Sequence, residues 1–334
     1  MKRNSRCKFT ISEELKMIQL YDNGLCLREV GNIFNVTSTR IWKILKANEV
    51  KFRVHGEGTR LLYEHLNVNP PDDFPLHLND VFPKLISVFL LTDGYMKKGG
   101  GIMLISTDET LQRYFLTLIN EAYGLAPTVN SFMKKGKETI VHSTFAFSNL
   151  LEISPSYNTY PRNCSMEEYF QKPQPSLAFL ENEDIDLLKE VVRIAMSTDG
   201  TVNVDFPHNS IYPKLEFSCA HPGLVKDWKR IFEKVGINSF FIKSKVTWSK
   251  IRGFGIKELK SIQRFAEIGG FIDEVKITGK SKYYQGIPKN NLLNFILKLK
   301  KESFHFPENL TTVQKHDILR NKLNLEKING PGRI

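Results

Sequence analysis

Apolar residues recur at helical spacing in some stretches of the chain and at strand spacing in others, and the changes of period mark its parts. Residues 1–54 hold three short helical runs. "SEELKMIQLYDNG" predicts a helix with Ser12 as N-cap and Gly24 as its stop. "LREVGNIFNV" predicts a second, with Val30, Ile33 and Phe34 inward. "TSTRIWKILKANEV" predicts a third, capped by Thr37 or Ser38, with Ile41, Ile44 and Leu45 on one face. Residues 55–80 contain Gly56, Gly58, Pro70, Pro71 and Pro75 and read as a linker, with room for one short helix at "TRLLYEHL".

From residue 81 helix and strand periods interleave. An apolar helix ends at Asp93, followed by the strand "GIMLIST", the amphipathic helix "DETLQRYFLTLINEAYGL", two strands in "PTVNSFMKK" and "TIVHSTFAF", and a further helix starting at "SNLLEIS". Residues 176–285 run through the same order. "NEDIDLLKEVVRIAMSTDG" is a helix, "TVNVDF" and "YPKLEFSCA" are strands, and "GLVKDWKRIFEKVGI" is a helix. "NSFFIKSKVTW" and "IRGFGI" are strands, and "KELKSIQRFAEIGGF" is a helix. A repeated helix-strand-strand-helix-strand-strand-helix order is an internal duplication, with units at 81–175 and 176–285. "FAFSNLLEI" and "FGIKELKSI" fall in register near the ends of the two units, and 286–334 is left as a helical extension.

Both units open on an apolar run that stops in Thr-Asp-Gly, "ISVFLLTDG" and "VRIAMSTDG". Gly94 and Gly200 suit a helix end, but Asp93 and Asp199 do not, because the negative end of the helix dipole disfavours an acid. The same misfit at the same place in two units asks for a chemical reason.

Composition narrows the partners. Of 334 residues, 47 are Lys or Arg and 36 Asp or Glu, a net charge of +11 that suits an anionic partner, nucleic acid first, although a basic balance alone also fits no specific ligand. Cys7, Cys26, Cys164 and Cys219 are scattered without a Cys-x-x-Cys pair, which argues against a zinc site or a disulfide framework and fits a reducing, cytoplasmic setting. "MKRNSRCKFT" is too polar for a signal peptide, and no apolar run nears the roughly 20 residues that span a bilayer.

With two Asp-Gly helix ends opening two like units, the chain resembles the LAGLIDADG homing endonucleases in their single-chain, two-repeat form over residues 81–285. The resemblance implies an α+β fold in which two pseudo-symmetric αββαββα repeats form a DNA-binding saddle, preceded here by a three-helix domain. It implies that the two motif helices pack side by side and that Asp93 and Asp199 hold divalent metal, Mg²⁺ or Mn²⁺, at the scissile phosphates. Lys257 stands where many members carry a basic residue near the attacking water, and Ser148 is its match in the first unit. Val88 and Ile194 stand where the family often has Gly or Ala, which predicts a wider or shifted helix crossing. The first 54 residues resemble the homeodomain-like helix-turn-helix of resolvases and transposases through "YDNGLCLREVGNIFNVTSTRIWKILK". In such modules the helix after the turn enters the major groove, which here presents Ser38, Thr39, Arg40, Lys43 and Lys46.

On that reading the sheets meet DNA. Period-two alternation puts Phe240, Ile242, Val246 and Trp248 on one face, and Phe241, Lys243, Lys245, Thr247 and Ser249 on the other, basic one. Tyr95 with Lys97, and Thr201 with Asn203 and Asp205, point the same way, while Lys134 and Lys135 sit at a hairpin tip; the bland alternative for the lysines is a solvated face. The resulting expectation is a monomeric, Mg²⁺-dependent, site-specific double-strand DNA endonuclease, with a non-catalytic DNA-binding regulator or an RNA-splicing maturase as the alternatives.

Overall fold

The computed structural model describes residues 9–50 except 24 and 26, 52, 81–97, 100–133 except 126 and 128, 136–278 except 163, and 281–329. The linker 55–80, with its "TRLLYEHL" helix, and the proposed stop at Gly24 lie outside the described residues. Three helices come first: α1 (Ile11–Asp22), α2 (Leu27–Ile33) and α3 (Ser38–Ala47). Thr10, not Ser12, caps α1. Its hydroxyl accepts from Glu13 N and the Glu13 carboxylate returns to Thr10 N, a reciprocal box that Ser12 cannot make from inside the first turn. Met17, Tyr21, Val30, Ile41, Ile44 and Leu45 form a small core of their own, whereas Ile33, expected inward, is exposed at the last turn of α2. Asn35 follows with φ of 50° and turns the chain from α2 into α3, which Thr37 caps.

The remainder is α+β, in two units of the same order. The first runs α4 (Val81–Leu90), β1 (Gly94–Lys97), β2 (Gly101–Ser106), α5 (Glu109–Tyr123), β3 (Val129–Met133), β4 (Gly136–His142) and α6 (Thr144–Ile153). A connector with one short helix, α7 (Met166–Phe170), leads to α8 (Ile185–Thr198), β5 (Gly200–Asp205), β6 (Tyr212–Ser218), α9 (Leu224–Lys234), β7 (Phe240–Lys243), β8 (Ile251–Ile256) and α10 (Leu259–Glu267). Each unit makes one antiparallel four-stranded sheet, ordered β1-β2-β4-β3 and β5-β6-β8-β7. Two further helices, α11 (Lys289–Lys301) and α12 (Thr312–Asn329), form the C-terminal extension. The opening helices α4 and α8 pack against each other, and one continuous apolar core runs from Leu85 in the first unit to Leu323 in the extension. Among the described residues no helix is long and apolar enough to cross a membrane.

Two sequence expectations fail for local reasons. Residues 144–147 of "TFAF" are the first turn of α6, not strand, because the Ser143 hydroxyl accepts from Ala146 N and starts the helix there. The register of "FAFSNLLEI" with "FGIKELKSI" is therefore lost: Phe254 to Ile256 end β8, while Ser148 sits in the middle of α6. By topology the residue after β4 is Ser143 and the residue after β8 is Lys257. β7 in turn stops at Lys243. Pairing with β8 slips at Ile242/Lys243, and Gly253, at φ of 150°, carries its α-carbon so close to Phe217 O that an added Cβ would lie 1.8 Å from it. Residues 244–250 form a turn, so Val246, expected inward, is 94% exposed.

Candidate carboxylate pair at the ends of the opening helices

The Thr-Asp-Gly ends of α4 and α8 are built alike. Thr92 Oγ1 donates to Val88 O and Phe89 O, each at 3.1 Å, and Thr198 Oγ1 to Ile194 O at 3.0 Å and Ala195 O at 2.9 Å. Each threonine hydroxyl thus adds a bond to last-turn carbonyls, of which Phe89 O also accepts from Thr92 N and Ala195 O from Asp199 N. The glycines let the strand leave without collision. A Cβ on Gly94 would lie 2.9 Å from Leu90 Cα and from Met103 O, and one on Gly200 2.4 Å from Met196 O. Gly200→Ala is therefore expected to cost about 2 kcal/mol by overpacking and to move the Asp199 turn. Urea unfolding checks it, and a loss below about 0.5 kcal/mol, the level of an ordinary surface change, would contradict it.

Between threonine and glycine stand Asp93 and Asp199, both half-buried. Burial pushes the Asp93 carboxyl up to about 6, partly offset by the positive charge of Lys289. Asp199 is raised well above the usual carboxylate range by burial and then by the charge of Asp93, again with Lys289 opposing. Sequence reasoning paired the two acids but missed the lysine. Lys289 opens α11, is 7% exposed, and donates to Ser197 O at 2.7 Å and Gly200 O at 2.8 Å, the carbonyls on either side of Asp199. Its ammonium lies 5.3 Å from the centre of the Phe271 ring. Burial pulls its pKa down to about 8, against the charges of Asp93, Asp199 and Asp108. Ile272 N, in the segment after α10, donates to Ser197 Oγ at 2.7 Å, and the extension is pinned to that segment by Asn290, which takes Phe271 N and gives to Phe271 O, each at 2.8 Å. A positive charge at the C-terminal end of α8 offsets both the helix dipole and the acid placed there. One signal was present in the sequence: Lys289 holds an inward position of the stripe Lys289, Leu292, Leu293, Ile296.

Lys257 does not join this group. In the sheet register Gly200 pairs with Phe217, and Phe217 with Phe254. Lys257 lies three residues further on, about 10 Å along the strand and about 10 Å across two strand spacings. Its side chain is exposed, with the ammonium 4.9 Å from the centre of the Phe240 ring.

The residues expected to meet DNA fall in four places. Ser38, Thr39, Lys43 and Lys46 are exposed along α3 and Arg40 is half-buried; Lys46 lies over the Trp42 ring, which stacks on Phe52. On the sheets, Thr201, Asn203 and Asp205 alternate with buried Val202 and Val204, as expected. Tyr95 is half-buried, its hydroxyl donating to Glu138 Oε1 at 2.9 Å, and burial pushes that hydroxyl up to about 12; Lys97 and Lys243 are exposed at strand ends. Lys245 and Thr247 are in the 244–250 turn instead of on a strand, Lys245 exposed and Thr247 half-buried. Lys134 and Lys135 lie outside the described residues.

Asp93 opens onto a cavity of about 850 Å³ lined also by Tyr95, Phe147, Asn158, Tyr160 and Arg162. The donors fit a hard cation: two carboxylates hold Mg²⁺ when water and phosphate oxygens supply the other ligands. Burial raises both carboxyls, and the charge of Asp93 raises Asp199 further, a strain that a cation would relieve. Among the described residues no group of three or more His, Cys, Asp or Glu forms a fuller metal cage.

No family model matches the sequence, and no curated protein matches it. Solved structures do. Full-length DUF199/WhiA from Thermatoga maritima is 13% identical at a TM-score of 0.41, over 76% of this chain and 71% of that one. The LAGLIDADG meganuclease I-AabMI, bound to uncleaved DNA, is 10% identical at 0.41, over 75% and 99%. The homing endonuclease I-WcaI, bound to its DNA recognition sequence, is 12% identical at 0.40, over 66% and 92%. Identities this low concern the fold alone, and scores near 0.4 add nothing to the order of elements and strand pairing described above.

Proposed function

We infer that the protein is a site-specific, metal-dependent DNA endonuclease in which each unit supplies one carboxylate. The observation that carries this reading is the matched pair, Asp93 and Asp199, set at the adjoining ends of α4 and α8 with their pKa values raised. Among the described residues neither carboxylate makes a hydrogen bond or a close ion pair, and burial outweighs the charge of Lys289 at both, so each suits a ligand better than a structural contact. The pair would hold Mg²⁺ or Mn²⁺, and the bound ion would supply charge neutralisation at a phosphate oxygen and an acidified water. The chain's own share is to fix the two carboxylates through the threonine and glycine contacts, to keep Asp199 in place through Lys289, and to hold the duplex. For that last task the net charge of +11, the polar outer edge of β5 and the exposed basic face of α3 all suit a phosphate backbone.

Lys289 favours one other reading. A buried ammonium beside two carboxylates already cancels half their charge, so a protein of this design keeps the pair folded without metal and serves as a DNA-binding regulator. Selection of bound duplexes from a randomised library, followed by Mg²⁺ addition to the selected duplex, separates the two. Double-strand cuts at a fixed position support the endonuclease. Retention of a specific duplex without cleavage in either Mg²⁺ or Mn²⁺ supports the regulator, and no retained duplex contradicts both.

A further inference from the structure

The connector between the two units is anchored at both ends and carries a cation to the Asp93 cavity. On one side Tyr157 enters the first unit, its hydroxyl donating to Leu150 O at 2.7 Å and sharing a 2.7 Å hydrogen bond with Ser87 Oγ of α4. On the other side buried Tyr169 donates to Asn158 O at 2.5 Å, and its ring stands edge-on to Trp248 at 5.7 Å and to His221 at 6.0 Å. His221 in turn meets Gln174 Oε1 at 3.0 Å. Tyr160 also stands edge-on to Trp248, at 6.2 Å. The stretch from 157 to 169 is thus clamped between the helices of the first unit and the 244–250 turn of the second. In the middle of it lies Arg162. Its side chain is exposed, lines the same cavity as Asp93, and makes no hydrogen bond or ion pair among the described residues. Its charge is nevertheless felt at the Tyr95 hydroxyl.

A guanidinium without a partner among the described residues, lining the cavity of Asp93, leaves room there for an anion. We propose that Arg162 binds a DNA phosphate at the Asp93 half of the site, through two parallel N–H···O bonds. This rests on the nucleic-acid reading above. The planar fork of Arg matches two phosphate oxygens, and a connector already fixed at both ends loses little freedom on binding. In the second unit the segment after α10 brings Lys289 instead, whose ammonium is engaged by Ser197 O and Gly200 O. Of these two cations, the one left open to an anion is therefore the one on the Asp93 side.

The test uses the full-length protein and the duplex selected above. Arg162→Gln is expected to weaken binding about tenfold, the loss of one charge-assisted contact, and to lower the slope of log affinity against log salt by about 0.9. Arg162→Lys should keep the slope and recover part of the affinity. Replacing backbone phosphates one at a time with uncharged methylphosphonates should reveal one position at which wild type and Arg162→Gln bind equally. Unchanged affinity and slope would overturn the proposal. So would a loss that persists on every methylphosphonate duplex, which would assign Arg162 to the folding of the connector. A wild-type protein that retains no duplex would instead overturn the nucleic-acid reading on which the proposal rests.

Discussion

Asp93→Asn and Asp199→Asn are expected to abolish Mg²⁺-dependent strand cleavage, by on the order of 10³-fold or more, while making the metal-free protein more stable. The two effects have one cause. Each carboxylate is held where burial and, for Asp199, its partner's charge penalise ionisation. Asp93 goes from an ordinary 3.8 to about 6 on folding, so the folded state binds its proton more tightly than the unfolded state does. That stability is present at low pH and is lost as pH rises from about 4 through about 6. A shift of this size corresponds to on the order of 2 kcal/mol for a half-buried group. Asn carries no charge to ionise, so the variants should lack the decline. Urea unfolding of the metal-free proteins between about pH 4.5 and pH 7.5 gives the stability arm, and strand-resolved cleavage of the selected duplex gives the activity arm. A variant that cuts at the wild-type rate would remove its acid from the chemistry. A variant with the wild-type pH dependence would show that the carboxylate is well solvated. DNA affinity should change little, because the cations proposed to hold phosphates, Arg162 and the lysines of α3 among them, are left in place.

Lys289→Met should be the more damaging substitution for the fold. Methionine keeps the methylenes over Phe271 but leaves the carbonyls of Ser197 and Gly200 without their donor and two acids without their counter-charge. Removing one partner from a buried charge cluster costs about 3–5 kcal/mol. The loss should shrink in the Asp199→Asn background, because the acid that Lys289 compensates is then gone; a coupling above about 1 kcal/mol is expected. Additive losses would mean that Lys289 acts only as a cap on the backbone. The fold loss does not depend on whether the protein cleaves DNA.

The duplication was legible because it rests on local signals. Thr-Asp-Gly after an apolar run needs only the threonine hydroxyl, the glycine clearance and the helix end, all within a few residues. The alternation in β5 was equally readable, since every second residue there is either Val or polar. What failed depended on contacts made far along the chain. β7 looked longer than it is because "FFIKSKVTW" keeps an approximate alternation, while the slip that ends it comes from the close approach of Gly253 to Phe217 O. "TFAF" resembled strand because Thr144, Phe145 and Phe147 favour strands, a preference that the cap at Ser143 outweighs. Ser148 was matched to Lys257 by a register that α6 does not keep. Lys289 and Arg162 escaped notice because neither lies on a repeated helix or strand, Lys289 standing in the extension and Arg162 in the connector after α6, and a single Lys or Arg among 47 basic residues carries no mark.

The two anchored segments also set how the chain can be cut. Its halves look interchangeable, yet each brings a different cation to the site: Arg162 of the first lines the cavity of Asp93, and Lys289 of the second offsets both acids. A symmetric dimer of the first half would bring together two guanidinium sides with no ammonium between the acids, and a dimer of the second would do the reverse. Neither half can stand in for the other, so swapping or duplicating units to build a palindromic cutter would have to carry the connector or the tail along with it.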